Sequence, residues 1–234
     1  MRLDSYLSER FGISRTKAQR FIQEGVVCVD GACITKNSHE VEEGSDVVLH
    51  VEKDYVSRAA LKLFPFLQEA GISVADKEAL DIGSSTGGFT QVLLEMGAKH
   101  VTCVDVGSHQ LHDSLRGDKR ISLYEQTDIR DFESEPFELV VSDVSFISLL
   151  KILDTIDTLA KDEIVLLFKP QFEVGRGVKR DKKGVIKDEK AVQKAMIGFE
   201  DACTLKGWKL LCKAPSKITG KDGNLEYCYY FKKC

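Results

Sequence analysis

An excess of positive charge would mark a nucleic-acid-binding chain, and this sequence has none. Its 234 residues hold 33 Lys and Arg against 37 Asp and Glu, a net charge of −4, so any basic surface must be local. Long apolar runs are also missing: stretches such as Ile164–Phe168 fall far short of the roughly 18 residues a membrane-spanning helix needs. The start, Met-Arg-Leu-Asp-Ser-Tyr, lacks the apolar core of a secretory signal. The seven cysteines are an odd number with no C-x-x-C pair. That spacing predicts reduced thiols in a cytoplasmic protein, with no zinc site, no disulfide frame and no metal. Ser142, Ser145 and Ser148 have no histidine–acid partners, so hydrolase chemistry has no support. No G-x-G-x-x-G turn and no Gly-Lys-Ser/Thr loop occurs, which removes the usual dinucleotide and nucleoside triphosphate signatures. No internal repeat or low-complexity tract is visible.

What is present is Asp81-Ile-Gly-Ser-Ser-Thr-Gly-Gly88, followed by Phe89 and an apolar helical pattern. It reads as a strand, a glycine-rich turn and a helix. Gly83, Gly87 and Gly88 permit a tight bend and close approach of a ligand to the backbone. The spacing suits a nucleoside with an amino-acid tail, S-adenosylmethionine, better than NAD or ATP. The expected cofactor-binding residues are Asp81, Gly83, Ser84, Ser85, Thr86, Gly87, Gly88 and Phe89 from this segment, with Asp105, Asp128 and Asp143 from later strand ends.

The chain divides into residues 1–52, a linker at 53–57 and residues 58–234. In the first part, Leu3, Tyr6, Leu7 and Phe11 have helical spacing ended by Gly12, and Ser14 caps a second helix with Ala18, Phe21 and Ile22 on its buried side. Val26–Val29 and Asp46–Val51 read as strands, with Asp30-Gly31 as a hairpin turn. The second part predicts strands at Ala79–Ile82, His100–Val106, Ile121–Tyr124, Phe137–Ser142 and Ile164–Phe168. Helices fill most gaps, notably Leu149–Ala160 and Glu189–Lys206, and an earlier one after Ser57 should kink or restart at Pro65. Alternation of this kind means a parallel sheet covered on both sides. Trp208–Cys212 and Glu226–Lys232 should add an antiparallel hairpin at one edge. The expected fold is therefore α/β and Rossmann-like, with a mostly parallel seven-stranded sheet preceded by a small α+β domain.

Ligands in open α/β sheets bind beyond the carboxyl ends of the strands. Asp105 lies there for ribose hydroxyls and Asp128 for the base. Asp143 and Lys169 end two further strands. Glu226 begins the antiparallel one, and Lys62 reaches in from the preceding helix. These four, Lys62, Asp143, Lys169 and Glu226, are the catalytic candidates. A free lysine, with a pKa of about 10.4, is a poor base. Burial and a second amine would improve Lys169 as a base, while Asp143 and Glu226 favour its ammonium form. Both roles stay open, acceptor of a proton or cation beside a developing alkoxide, with the first preferred.

Arg2-Leu3-Asp4, Ser14-Arg-Thr-Lys-Ala and Gly25-Val-Val-Cys-Val-Asp-Gly31 resemble the alpha-L RNA-binding domain of ribosomal protein S-four. Ser-Arg-Ala-Ala-Leu-Lys62-Leu, Val-Ser-Asp143-Val-Ser-Phe, Leu-Phe-Lys169-Pro-Gln-Phe-Glu and Asn-Leu-Glu226-Tyr resemble the FtsJ-like ribose 2′-O-methyltransferases. Together they resemble the TlyA family, long described as haemolysins, over essentially the whole chain. The resemblance implies a class I methyltransferase that uses S-adenosylmethionine to methylate cytidine 2′-hydroxyls of ribosomal RNA. It also implies a link to capreomycin-type antibiotic sensitivity and, from the short form of the chain, a large-subunit target. Arg2, Arg15, Lys17 and Arg20, with the basic loop Arg176, Lys179, Arg180, Lys182 and Lys183, are the expected RNA contacts. A haemolysin or an inactive ribosome-assembly RNA-binding module are the rival readings.

Overall fold

The computed structural model describes residues 1–42, 44–49, 55–175 and 177–233. It separates into two compact units, Met1–Asp54 and Tyr55–Cys234.

In the first unit, α1 (Leu3–Phe11) ends at Gly12 in the left-handed conformation, and α2 (Arg15–Gln23) begins at Ser14, whose side chain accepts from the Lys17 backbone N–H. Leu3, Leu7, Ala18, Phe21 and Ile22 form the core with Val27 and Val29. β1 (Val27–Val29) lies between β2 (Ala32–Cys33) and β3 (Val47–Leu49), antiparallel to both. The third strand was expected to reach residue 51; residues 50 and 51, like 53 and 54 of the expected linker, lie outside the described residues. Asp30 and Gly31 both have positive φ, as a two-residue hairpin turn requires. That turn sets Cys28 opposite Cys33, and the two are joined as a disulfide. The expectation of seven separate thiols is thus corrected. Spacing alone concealed the pair, because the turn rather than the sequence separation brings the two cysteines together.

The second unit opens with α3 (Ala60–Glu69), which runs through Pro65 without a break. The helix therefore does not restart there, although Pro65 has no N–H to give the Leu61 carbonyl. Next come β4 (Glu78–Ile82), α4 (Gly88–Glu95), β5 (His100–Val104), α5 (Asp113–Arg116), β6 (Ile121–Tyr124) and β7 (Phe137–Ser142). A 3₁₀ turn at Leu149–Lys151 and α6 (Leu153–Leu159) replace the single predicted helix, and β8 (Ala160–Phe168) begins earlier than its apolar run suggests. Its polar start pairs with β10, Glu163 opposite Lys232. α7 (Pro170–Glu173), α8 (Glu189–Leu205), β9 (Trp208–Pro215) and β10 (Tyr227–Lys233) complete the unit.

The seven strands run in the order β6-β5-β4-β7-β8-β10-β9, with β10 antiparallel to both neighbours. Successive residues feed opposite layers. Ala79, Leu139, Val141, Val165 and Leu167 join the core under α3 and α4, whereas Leu80, Val140, Ile164, Leu166 and Phe168 join that under α6 and α8. Burial on both faces explains the nearly continuous apolar runs. Chain direction reverses its lateral walk at β4, between β5 and β7, which opens a crevice at their carboxyl ends. Because Tyr227 pairs with Phe168, Glu226 enters at that same edge, next to Lys169.

Candidate active site

The glycine turn leaves β4 at Gly83 (φ 80°) and enters α4 through Gly87 (φ 93°). Side chains at these glycines would meet protein first. A Cβ on Gly87 would stand 2.4 Å from Leu115 Cδ1, one on Gly88 2.8 Å from Ser57 Cβ, and one on Gly83 3.2 Å from Val144 Cγ1. Close packing of α4 and the neighbouring loops therefore favours glycine here, in addition to the ligand approach expected of these residues. Asp105 links the turn to the next loop, accepting from Ser85 N–H (2.8 Å) and Gly107 N–H (2.7 Å). Each carboxylate oxygen keeps a second lone pair for a ligand.

A cavity of about 400 Å³ lies against this corner, lined by Gly83, Ser85, Asp105, Asp128, Asp143 and Phe146 among others. Asp128 caps a 3₁₀ turn, and the Arg130 guanidinium beside it pulls its carboxyl down to about 2. Thr86 is exposed and Phe89 buried; Phe89 belongs to the core, and both it and Ser84 border a smaller cavity. Asp81 does not line either cavity. It is fully buried, accepts from Thr90 Oγ1 (2.6 Å), and burial pushes its carboxyl up to about 7. The folded protein holds this proton where an unfolded aspartate releases it. Its stabilising effect is therefore complete below about pH 4 and is lost as pH rises through 7. Asp81→Asn keeps the acceptor for Thr90, so its melting temperature should fall less than the wild type's between pH 5 and pH 8. Calorimetry giving both proteins the same pH slope would contradict this origin.

The smaller cavity, about 140 Å³, shares Gly83, Ser85, Asp143 and Ser145 with the larger and adds Ser57, Ala59 and Lys169. Asp143 and Lys169 line it as one ion pair, and the other two charged candidates, Lys62 and Glu226, form a second. Lys169 Nζ is 2.5 Å from Asp143 Oδ1 and donates to Ser145 Oγ at 2.8 Å. Lys62 Nζ donates to Glu226 Oε2 at 2.7 Å. Lys62, Lys169 and Glu226 are all buried. Burial pushes the Cys228 thiol up to about 12, with smaller effects from the charges of Asp143, Lys62 and Glu226.

Residues 55–233 match the FtsJ-like methyltransferases and residues 1–48 match the S4 domain. The 23S rRNA (cytidine-2′-O)-methyltransferase TlyA of Campylobacter jejuni is 49% identical, with 100% of both chains covered. The chain belongs to the TlyA family. The 16S/23S rRNA (cytidine-2′-O)-methyltransferase TlyA of Mycobacterium tuberculosis is 38% identical over 99% of this chain and 89% of its own. A solved structure from Streptococcus thermophilus, of a protein with a hemolysin name, superposes with a TM-score of 0.75 at 34% identity, covering 100% of this chain and 88% of that one.

Within this TlyA-family chain, several basic residues expected at RNA have partners of their own. Arg2 and Arg15 donate to Asp4, which also accepts from Gln19. Arg2 holds the Asp4 carboxyl far below the usual range. Lys17 and Arg20 lie over the Phe21 ring. Arg180 donates to the carbonyls of Gln171, Gly175 and Val178, bracing its loop against α7. Lys179, Lys182 and Lys183 are exposed, and Arg176 lies outside the described residues. A sequence shows a guanidinium but not the carbonyl or carboxylate that already engages it.

Four residues of the site had gone unnoticed: Ser145 on Lys169, Gln171 and Gly220 on Glu226, and Glu173 behind the Asp143 loop. Gln171 Nε2 donates to Glu226 Oε1 at 3.3 Å. A Cβ on Gly220 would stand 2.5 Å from that same oxygen. Gly220→Ala should push the carboxylate off Lys62 and slow turnover at least ~10-fold while donor binding stays intact. Steady-state assays of this variant check the point, and an unchanged rate would show that Glu226 tolerates displacement.

Proposed function

We propose that this chain uses S-adenosylmethionine to methylate the ribose 2′-hydroxyl of cytidine in ribosomal RNA, with the large subunit as its target. The observation that carries the reading is the Lys169–Asp143 ion pair on the wall of the small cavity, which shares Asp143 with the large one, together with a second buried pair, Lys62–Glu226. Such an arrangement can align a hydroxyl but offers no nucleophile of its own.

The residues present fit the donor. The larger cavity falls within the size range of small-ligand sites. Ser84 Oγ in the glycine turn is buried without a hydrogen-bond partner and borders the smaller cavity, as suits a segment that meets a polar ligand tail. Asp105 would take the ribose hydroxyls, and Val104, Ile129 and Ile152 supply apolar walls. When bound, the donor supplies a methyl group activated by a positively charged sulfur.

Lys169 meets the target hydroxyl and helps remove its proton, with Asp143 and Ser145 holding the amine in place. Lys62, oriented by Glu226, lies against the ribose and offsets negative charge at its oxygen. Preorganised charge of this kind needs no rearrangement at the moment of reaction. The exposed lysines at 179, 182 and 183, with the basic side of α2, would engage RNA phosphates, which position a substrate without reading its sequence.

A rival reading as a membrane-active haemolysin needs a spanning element, and no helix among the described residues is long and apolar enough to cross a membrane. The large-subunit assignment follows the Campylobacter jejuni relative, the more similar of the two named enzymes. The test supplies isolated small and large ribosomal subunits with isotopically labelled donor. Label should enter the large subunit alone; label in the small subunit as well would overturn that assignment.

A further inference from the structure

α7 is a single turn, yet each of its last three residues reaches a different part of the site. Gln171 donates to Glu226 (3.3 Å). The Phe172 ring packs on Phe146 with centroids 5.3 Å apart. Glu173 accepts from Ser148 Oγ–H at 2.6 Å and from Leu149 N–H at 2.9 Å. Lys169 stands immediately before this turn and caps it.

The partners of Glu173 end the loop that carries Asp143 and Ser145 to the Lys169 amine. That loop is strained. Phe146 has φ 66° and is 92% exposed, so no burial of its ring offsets the left-handed backbone. For a bulky residue the conformation costs on the order of 1–3 kcal/mol and persists only where the surroundings enforce it. At its start the loop is held by β7, where Ser142 pairs with Leu166. At its far end the anchor is Glu173, whose carboxylate grips the first residues of the 3₁₀ turn. Without it the loop could relax Phe146 to negative φ and carry Ser145 and Asp143 away from Lys169.

We propose that Glu173 is a positioning residue for methyl transfer: acting through Ser148 and the Leu149 backbone, it keeps Asp143 and Ser145 on the Lys169 amine. Gln171 on the same turn steadies Glu226, so α7 holds both ion pairs in one frame. The inference rests on the reading of this cleft as the site of ribose methylation.

The test compares Glu173→Gln, Glu173→Leu, Ser148→Ala and Phe146→Gly, together with Glu173→Leu/Phe146→Gly, using large ribosomal subunits and labelled donor. Glutamine can still accept from Leu149 N–H and donate to Ser148, so it should keep turnover within about threefold of wild type. Leucine cannot, and kcat should fall ~10- to 100-fold, the size of a small misplacement of reacting groups, with the KM for RNA little changed. Ser148→Ala, at the half-buried end of the contact, should lose several-fold even if the leucine variant fails to fold. Glycine tolerates positive φ, so removing Glu173 should cost at least threefold less in the Phe146→Gly background. Normal turnover in Glu173→Leu or Ser148→Ala, or strictly multiplicative losses in the double variant, would overturn the proposal. If wild-type protein transfers no methyl to ribose, the underlying reading fails first, and that result is distinct from any of these.

Discussion

Lys169→Met should bind S-adenosylmethionine normally and methylate ~1000-fold more slowly than wild type. Lys169 borders the smaller cavity and not the larger one, so the donor pocket survives its loss. What disappears is the amine that Asp143 and Ser145 orient, at 2.5 and 2.8 Å. A positioned proton-transfer group contributes ~10²- to 10⁴-fold. Methionine fills similar volume without donor or charge, which keeps the change chemical rather than structural. Lys169→Arg then separates the two roles left open for the amine. Arginine stays charged and cannot take a proton. Activity as low as the methionine variant's would assign Lys169 the proton, whereas substantial recovery would make it a cation beside the alkoxide. Turnover near wild type in Lys169→Met would remove this residue from the reaction.

The second large effect concerns the donor. Asp105→Ala should weaken S-adenosylmethionine binding at least ~100-fold in a calorimetric titration. Two backbone N–H groups, from Ser85 and Gly107, end on this carboxylate, so it fixes both lips of the pocket as well as facing its interior. Hydrogen bonds to a charged group are worth about 1.5–3 kcal/mol each, and about 2.7 kcal/mol corresponds to 100-fold in affinity. Asp105→Asn retains one acceptor oxygen but turns an amide toward a backbone donor, so an intermediate loss is expected. An affinity within about threefold of wild type in the alanine variant would place the donor elsewhere.

The parts of this site that lie at strand ends were legible in the sequence. A nearly continuous apolar run followed by a charged residue, as at Ile164–Phe168 before Lys169 or Phe137–Ser142 before Asp143, states both the strand and the edge where its last side chain emerges. Glu226 could be placed because two strands with no helix between them must pair antiparallel. Parts that depend on a partner far along the chain were not legible. Arg2, Arg15 and Arg180 read as free cations, yet each has an internal acceptor. The close packing of Leu115 on Gly87 and of Ser57 on Gly88 was not legible either. The Cys28–Cys33 link follows from a hairpin register rather than from spacing. α7 is too short to leave a periodic trace, so the roles of Gln171 and Glu173 appeared only once their contacts were visible.

The claim on which the rest stands is that two lysines and two carboxylates beside the glycine turn direct a methyl group to a ribose oxygen. Nucleoside digestion and mass spectrometry of ribosomal RNA treated with this protein and isotopically labelled donor test it most directly. The label should appear in 2′-O-methylcytidine and be absent when Lys169→Met replaces the wild type. Label in a base-methylated nucleoside, or 2′-O-methylcytidine formed equally well by Lys169→Met, would contradict it.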